Sequence, residues 1–88
     1  MQSQKVMIKS KVGLHARPAA LFVQTAGNFF SDIYVEMEDK KVNAKSIMGI
    51  MALGASKDDE IIIITQGEDE KEAMKTLIDL LENRLSKE

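Results

Sequence analysis

Two hydrophobic rhythms alternate along this chain. Val6 and Ile8 are separated by one polar-facing position, which predicts a strand over 5–9. Residues 10–14 read as a loop. The spacing then widens to three and four: Ala19, Phe22, Val23, Ala26 and Phe30 form one stripe. That predicts a helix over 16–27 with a single buried face, stopped by Gly27-Asn28. Strict alternation returns over 31–37, with Ile33, Val35 and Met37 on one side and Tyr34 and Glu36 on the other. The polar turn Glu38-Asp39-Lys40-Lys41 leads into a short strand over 41–44. This turn has no glycine, so Asp39 or a neighbour must take a left-handed conformation.

The second half repeats the mixture. Ser46 is placed as the N-cap of a short helix over 47–53, closed by Gly54. Lys57-Asp58-Asp59 reads as a turn. Residues 60–65 contain four consecutive isoleucines, a short β-branched run that favours a strand. Gly67 breaks it. Asp69 and Glu72 have capping-box spacing, and the acidic stretch 68–70 suits a helix start. Ala73, Leu77, Leu80, Leu81 and Leu85 make the stripe of a last helix. The order β-α-β-β-α-β-α predicts an α+β fold in one domain over 1–88. The architecture expected is an open-faced sandwich, a four-stranded, mostly antiparallel sheet with three helices on one face. Ile62, Ile64, Tyr34 and Met7 would then lie on the open side, where ordinary β-branched packing is a simpler reading than self-association.

Composition narrows the classes. With 88 residues and 44% hydrophobic content, one core forms without metal or disulfide help. There is no cysteine, hence no disulfide framework and no thiolate zinc site. The formal charge of −2 argues against nucleic acid as a general partner. Lys40, Lys41 and Lys45 are weak counter-evidence. An RNA-binding α+β module would also need aromatics on the sheet, and Tyr34 is the sole clear candidate. No basic region precedes a long apolar run, and no stretch reaches membrane-spanning length, so the expectation is a cytoplasmic protein without membrane insertion.

The chemistry concentrates at His15, the one histidine of the chain. It stands in Gly13-Leu14-His15-Ala16-Arg17-Pro18, directly before the first helix. Pro18 fits the first turn, where a missing N–H costs nothing. His15 therefore falls at or beside the N-cap, where backbone amides and the helix dipole attract phosphate. Arg17 adds a charged donor. The same positive field stabilises phosphoryl oxygens, so the ring can attack and then carry a phosphoryl group. A lone histidine is more often a plain surface or capping residue, and Ser46 on residue type alone is a plain N-cap.

The two segments Gly-Leu-His-Ala-Arg-Pro and Asn43-Ala44-Lys45-Ser46-Ile47-Met48-Gly49 change that balance. Together they resemble the two signature segments of HPr, the histidine-containing phosphocarrier family of the bacterial sugar phosphotransferase system. The likeness runs the length of the chain, through Gln66-Gly67-Glu68-Asp69-Glu70. It implies that His15 accepts a phosphoryl group on Nδ1 from enzyme I, charged by phosphoenolpyruvate, and passes it to IIA domains of sugar permeases. It implies no turnover of the chain's own, no cofactor and no metal. Ser46 looks like the regulatory serine of the Gram-positive branch. There, HPr kinase/phosphorylase modifies it, and the product is corepressor of catabolite control protein A. Ala19-Ala20-Leu21-Phe22-Val23-Gln24 and residues 40–45 are also similar to a catabolite-repression paralogue that carries glutamine in place of the histidine. His15 argues for carrier competence; a module acting mainly through phospho-Ser46 is the alternative.

A carrier of this kind needs a docking face. On the second helix Ile50 and Leu53 can face the core, while Ile47, Met48 and Met51 point to solvent beside His15. Ala20 would keep the approach to His15 unobstructed. The partner-binding residues expected are Ala16, Ala20, Ile47, Met48, Met51 and Leu53, with Leu53 assigned to both roles. The expected state is a monomer.

Overall fold

A computed structural model of the chain describes residues 1–85. Its elements, in order, are β1 (Gln2–Met7), α1 (Ala16–Ala26), β2 (Asp32–Met37), β3 (Lys40–Asn43), α2 (Ile47–Leu53), β4 (Glu60–Gln66) and α3 (Glu70–Asp79). A π-helical turn, Leu80–Arg84, prolongs α3. The four strands form one sheet in the order β1-β4-β2-β3, and every neighbouring pair is antiparallel. β4 lies inside the sheet because its isoleucines are paired on both sides: Lys5 with Ile62, and Tyr34 with Ile64. Ile61 and Ile63 are buried beneath the helices, while Ile62 and Ile64 are half-buried on the open face. The three helices cover the other face, α1 packing on α2 and α3. The α+β sandwich read from the sequence is the fold.

The core follows from the two periodicities. Ala19, Phe22 and Ala26 of α1, Ile50 and Leu53 of α2, and Ala73, Met74, Leu77, Leu80, Leu81 and Leu85 meet Val6, Ile8, Ile33, Val35, Ile61 and Ile63 of the sheet side. Met37 is only partly buried at its edge.

Three local expectations are corrected: the start of β1, the place of Phe30 and the partners of Asp69. β1 begins earlier than the predicted 5–9, because Gln2 pairs with Thr65 across the sheet; the polar Gln2-Ser3-Gln4 carries no periodic signal of its own. Phe30 does not continue the α1 stripe. The helix ends at Ala26, the chain leaves its 100° rotation, and Phe29 packs on the core while Phe30 is 90% exposed. Gly27 closes α1 in a right-handed conformation. Asp69 is the N-cap of α3 by position, but its carboxylate does not cap that helix. It accepts instead from the amides of Phe30 and Ser31, each at 2.9 Å, and from the Ser31 hydroxyl. Those bonds, the Ser31 hydroxyl foremost, hold its carboxyl below the ordinary aspartate range. Gly67 permits this closure: a Cβ there would run into Ser31. In the β2–β3 turn the left-handed residue is Glu38 (φ 56°), the neighbour of Asp39.

Candidate functional site

The segment that carries His15 is shaped by backbone. Gly13 has φ 67°, and a Cβ on it would collide with the carbonyl oxygen of Ala55 and the Cα of Ser56. The glycine therefore lets the loop lie directly on the stretch that follows α2. The Gly13 amide donates to the Ser10 carbonyl at 3.0 Å, and the Leu14 amide to the Ala55 carbonyl at 2.9 Å. Leu14 is fully buried and anchors the loop from below. His15 comes next, at the N-cap of α1, with extended backbone (φ −123°, ψ 158°) and a half-buried side chain. Its side chain makes no capping bond. The amides of a first helical turn have no carbonyl to bond within the helix, and Pro18 removes one of them at a position where none is needed. No acidic residue lies in this first turn, so the positive end of α1 is not offset locally. Arg17 and Ala16 are exposed and Ala20 is half-buried.

Ala16 is the residue sequence reasoning did not single out for its backbone. Its φ is 49°, in the left-handed region that a Cβ disfavours. Nothing in residue type signals it, since alanine is an ordinary first-turn residue. The strain arises because Leu14 is pinned to Ala55 while Pro18 and Ala19 are already buried in the helix packing.

The second site is built on α2. The Ser46 hydroxyl accepts from the Gly49 amide at 3.0 Å, and its carbonyl accepts from Ile50 at 3.0 Å. The Ser46 amide donates to the Asn43 carbonyl, and the Lys45 amide to the Asn43 Oδ1, so β3 hands the chain into the cap. Gly49 fits a tight spot where a Cβ would lie 3.3 Å from both the Ser46 hydroxyl oxygen and the Val42 Cβ. Gly54 closes the helix at φ 72°. Ile47, Met48 and Met51 are exposed, at 39%, 79% and 45%. Leu53 is 1% exposed and belongs to the core, which corrects its assignment to the partner-binding set: it shares the inward face of the helix with Ile50. Because α1 packs on α2 and the His15 loop is bonded to Ala55, both sites lie on one helical layer.

Among the described residues, no group of three or more His, Asp or Glu side chains is placed to hold a metal, and no helix is long and apolar enough to cross a membrane. Fold and site together define a small open-faced sandwich that presents a histidine at a helix N-terminus and a serine at a second cap. Residues 2–83 match the family described as PTS HPr component phosphorylation site. The HPr-like protein Crh of Bacillus subtilis is 57% identical over 77 residues, 88% of this chain and 91% of that protein. The crystal structure of HPr-C-His from Thermoanaerobacter tengcongensis superposes with a TM-score of 0.96 at 56% identity, covering 100% of this chain and 99% of that one. The chain belongs to the HPr family, a family of phosphocarriers rather than catalytic enzymes, to which HPr-like proteins such as Crh are related. Crystalline Crh of Bacillus subtilis, 52% identical over 97% of this chain and 98% of that one (TM-score 0.77), is a dimer formed through a swapping domain. The monomer expected from the sequence does not fit that relative.

Proposed function

We propose that His15 accepts a phosphoryl group from enzyme I and hands it to IIA domains of sugar permeases. The observation that carries this reading is the position of His15 at the N-cap of α1 in a chain of this family, with no side-chain cap bond of its own. In the loading step the nitrogen–phosphorus bond on enzyme I breaks and one forms at His15, which the family likeness puts at Nδ1. The α1 dipole and Arg17 face the incoming oxygens. In unloading, the same ring is the leaving group, and the partners complete the transfer site. Ile47, Met48, Met51, Ala16 and Ala20 form the docking face.

Ser46 is the second switch. A phosphate there would sit at the start of α2, where the Gly49 amide already donates to the hydroxyl, so the cap geometry suits it. Its effect is local: a dianion beside exposed apolar side chains opposes docking of an acidic partner and can recruit an arginine-bearing one. HPr kinase/phosphorylase is the expected modifier and catabolite control protein A the expected reader. The similarity to Crh supports a second reading, in which this regulatory role outweighs transport.

Incubation with enzyme I and phosphoenolpyruvate decides between them. The carrier reading expects an acid-labile, base-stable phosphate that is lost in His15→Ala and retained in Ser46→Ala. Kinase and ATP should instead give an acid-stable phosphate lost in Ser46→Ala. If only the second label forms, the regulatory reading stands and His15 is idle.

A further inference from the structure

The methionines of this chain are unevenly placed. Met74 is buried on the inner face of α3 and Met37 is partly covered, whereas Met48 is 79% exposed and Met51 45% exposed on the outer face of α2. One helical turn separates them, so the two thioethers stand side by side with Ile47 in the patch assigned above to docking. The inward face of α2 holds the helix independently of them, through buried Ile50 and Leu53, the Ser46 cap and the Gly54 terminator. A change confined to the outer side chains therefore alters the surface without removing what keeps the helix in place.

We propose that Met48, with Met51 as a slower neighbour, is a redox modification site at which a peroxide turns docking down. The proposal rests on the docking reading above. The thioether sulfur takes one oxygen atom from hydrogen peroxide: the O–O bond breaks, an S–O bond forms, sulfur is oxidised and water leaves. The product is a methionine sulfoxide, polar and branched where the thioether was apolar and pliable. Burying that oxygen against a partner's apolar surface without a donor costs binding free energy. His15 and its helix end are untouched, so the penalty falls on association and not on the transfer step. Methionine sulfoxide reductases reverse the modification, which makes it a switch and not only damage. Exposure ranks the sites: Met48 oxidises before Met51, and Met74 is spared while the chain is folded.

The test treats the full chain with hydrogen peroxide, maps sulfoxides by peptide mass spectrometry, and measures phosphoryl uptake from enzyme I and phosphoenolpyruvate. We expect Met48 to reach full oxidation before Met51, a rise of about tenfold in KM for this chain, the size of a 1.4 kcal/mol loss in association, and an unchanged kcat. Reductase treatment should restore the starting KM. Met1 and Met7 are also exposed, at 75% and 46%, so the M48L/M51L variant is the control. Whatever its own starting KM, peroxide should leave that value in place. A KM unmoved after complete oxidation of Met48 overturns the proposal, and so does a double variant that loses as much as the parent chain. Failure of the untreated chain to take up phosphoryl groups overturns the carrier reading itself, and is distinguishable because it precedes any oxidation.

Discussion

At the scale of single residues, the site depends on backbone positions that side-chain chemistry does not advertise. Ala16 holds φ 49° directly beside His15. A Cβ in that region costs roughly 1–2 kcal/mol, whereas glycine adopts it freely. Ala16→Gly should therefore raise unfolding free energy in urea by about 1 kcal/mol, after the larger unfolded-state entropy of glycine is deducted. No gain would mean that the loop relaxes when the chain is free in solution. Ser10 offers an opposite case. It is 1% exposed, and its hydroxyl has no hydrogen-bond partner among the described residues. An unsatisfied buried hydroxyl costs about 1–3 kcal/mol, so Ser10→Ala should stabilise by about 1 kcal/mol without disturbing the Ser10 carbonyl that receives the Gly13 amide. His15 itself was legible from the sequence because a histidine, an arginine and a proline in six residues coincide with the start of an apolar stripe. Gly13 was quoted with them, but its reason, contact with Ala55, requires a segment forty residues away.

At the scale of elements, helices and strands were legible wherever periodicity was strong, and their ends were not. The α1 stripe as far as Ala26, the α3 stripe, the alternation in β2 and the isoleucine run of β4 formed as read. The misplacements of Phe30 and Asp69 share one cause: the α1–β2 connection and the start of α3 are bound to each other. Capping-box spacing points Asp69 at its own helix, yet the amides of Phe30 and Ser31 hold it. Its carboxyl pKa is lowered from 3.8, chiefly by the Ser31 hydroxyl and the Phe30 amide. Stability from this group is complete above the unfolded-state value and is lost as pH falls through the lower folded value. Asp69→Asn should therefore lower the melting temperature at pH 7, and the gap to the parent chain should narrow as the pH drops below 3.8. A gap constant from pH 7 to pH 2 would refute that linkage.

At the scale of the whole molecule, the sheet is a platform and the helical layer carries the proposed docking face. The order β1-β4-β2-β3 puts the last strand inside the sheet and leaves β1 and β3 at its edges. The two crossings through α1 and α2 then lie against each other. Modification of Ser46 should leave this framework intact. Phosphorylated and unmodified chains are expected to show the same amide-exchange protection in α2, while uptake from enzyme I slows in the phosphorylated chain. Loss of α2 protection would replace the docking explanation with local unfolding.

The linear chain by itself determined the fold class, the number and kind of elements, and the two residues on which the proposed function turns, His15 and Ser46. Hydrophobic period and local capping are short-range properties, and a family motif is written in neighbouring residues. Tertiary structure decided the rest: the extension of β1 to Gln2, the burial of Leu53, the exposure of Phe30, the partners of Asp69 and the strained backbone of Ala16. Each depends on contacts between segments distant in sequence, where packing and hydrogen bonds across the molecule outweigh what any local window prefers.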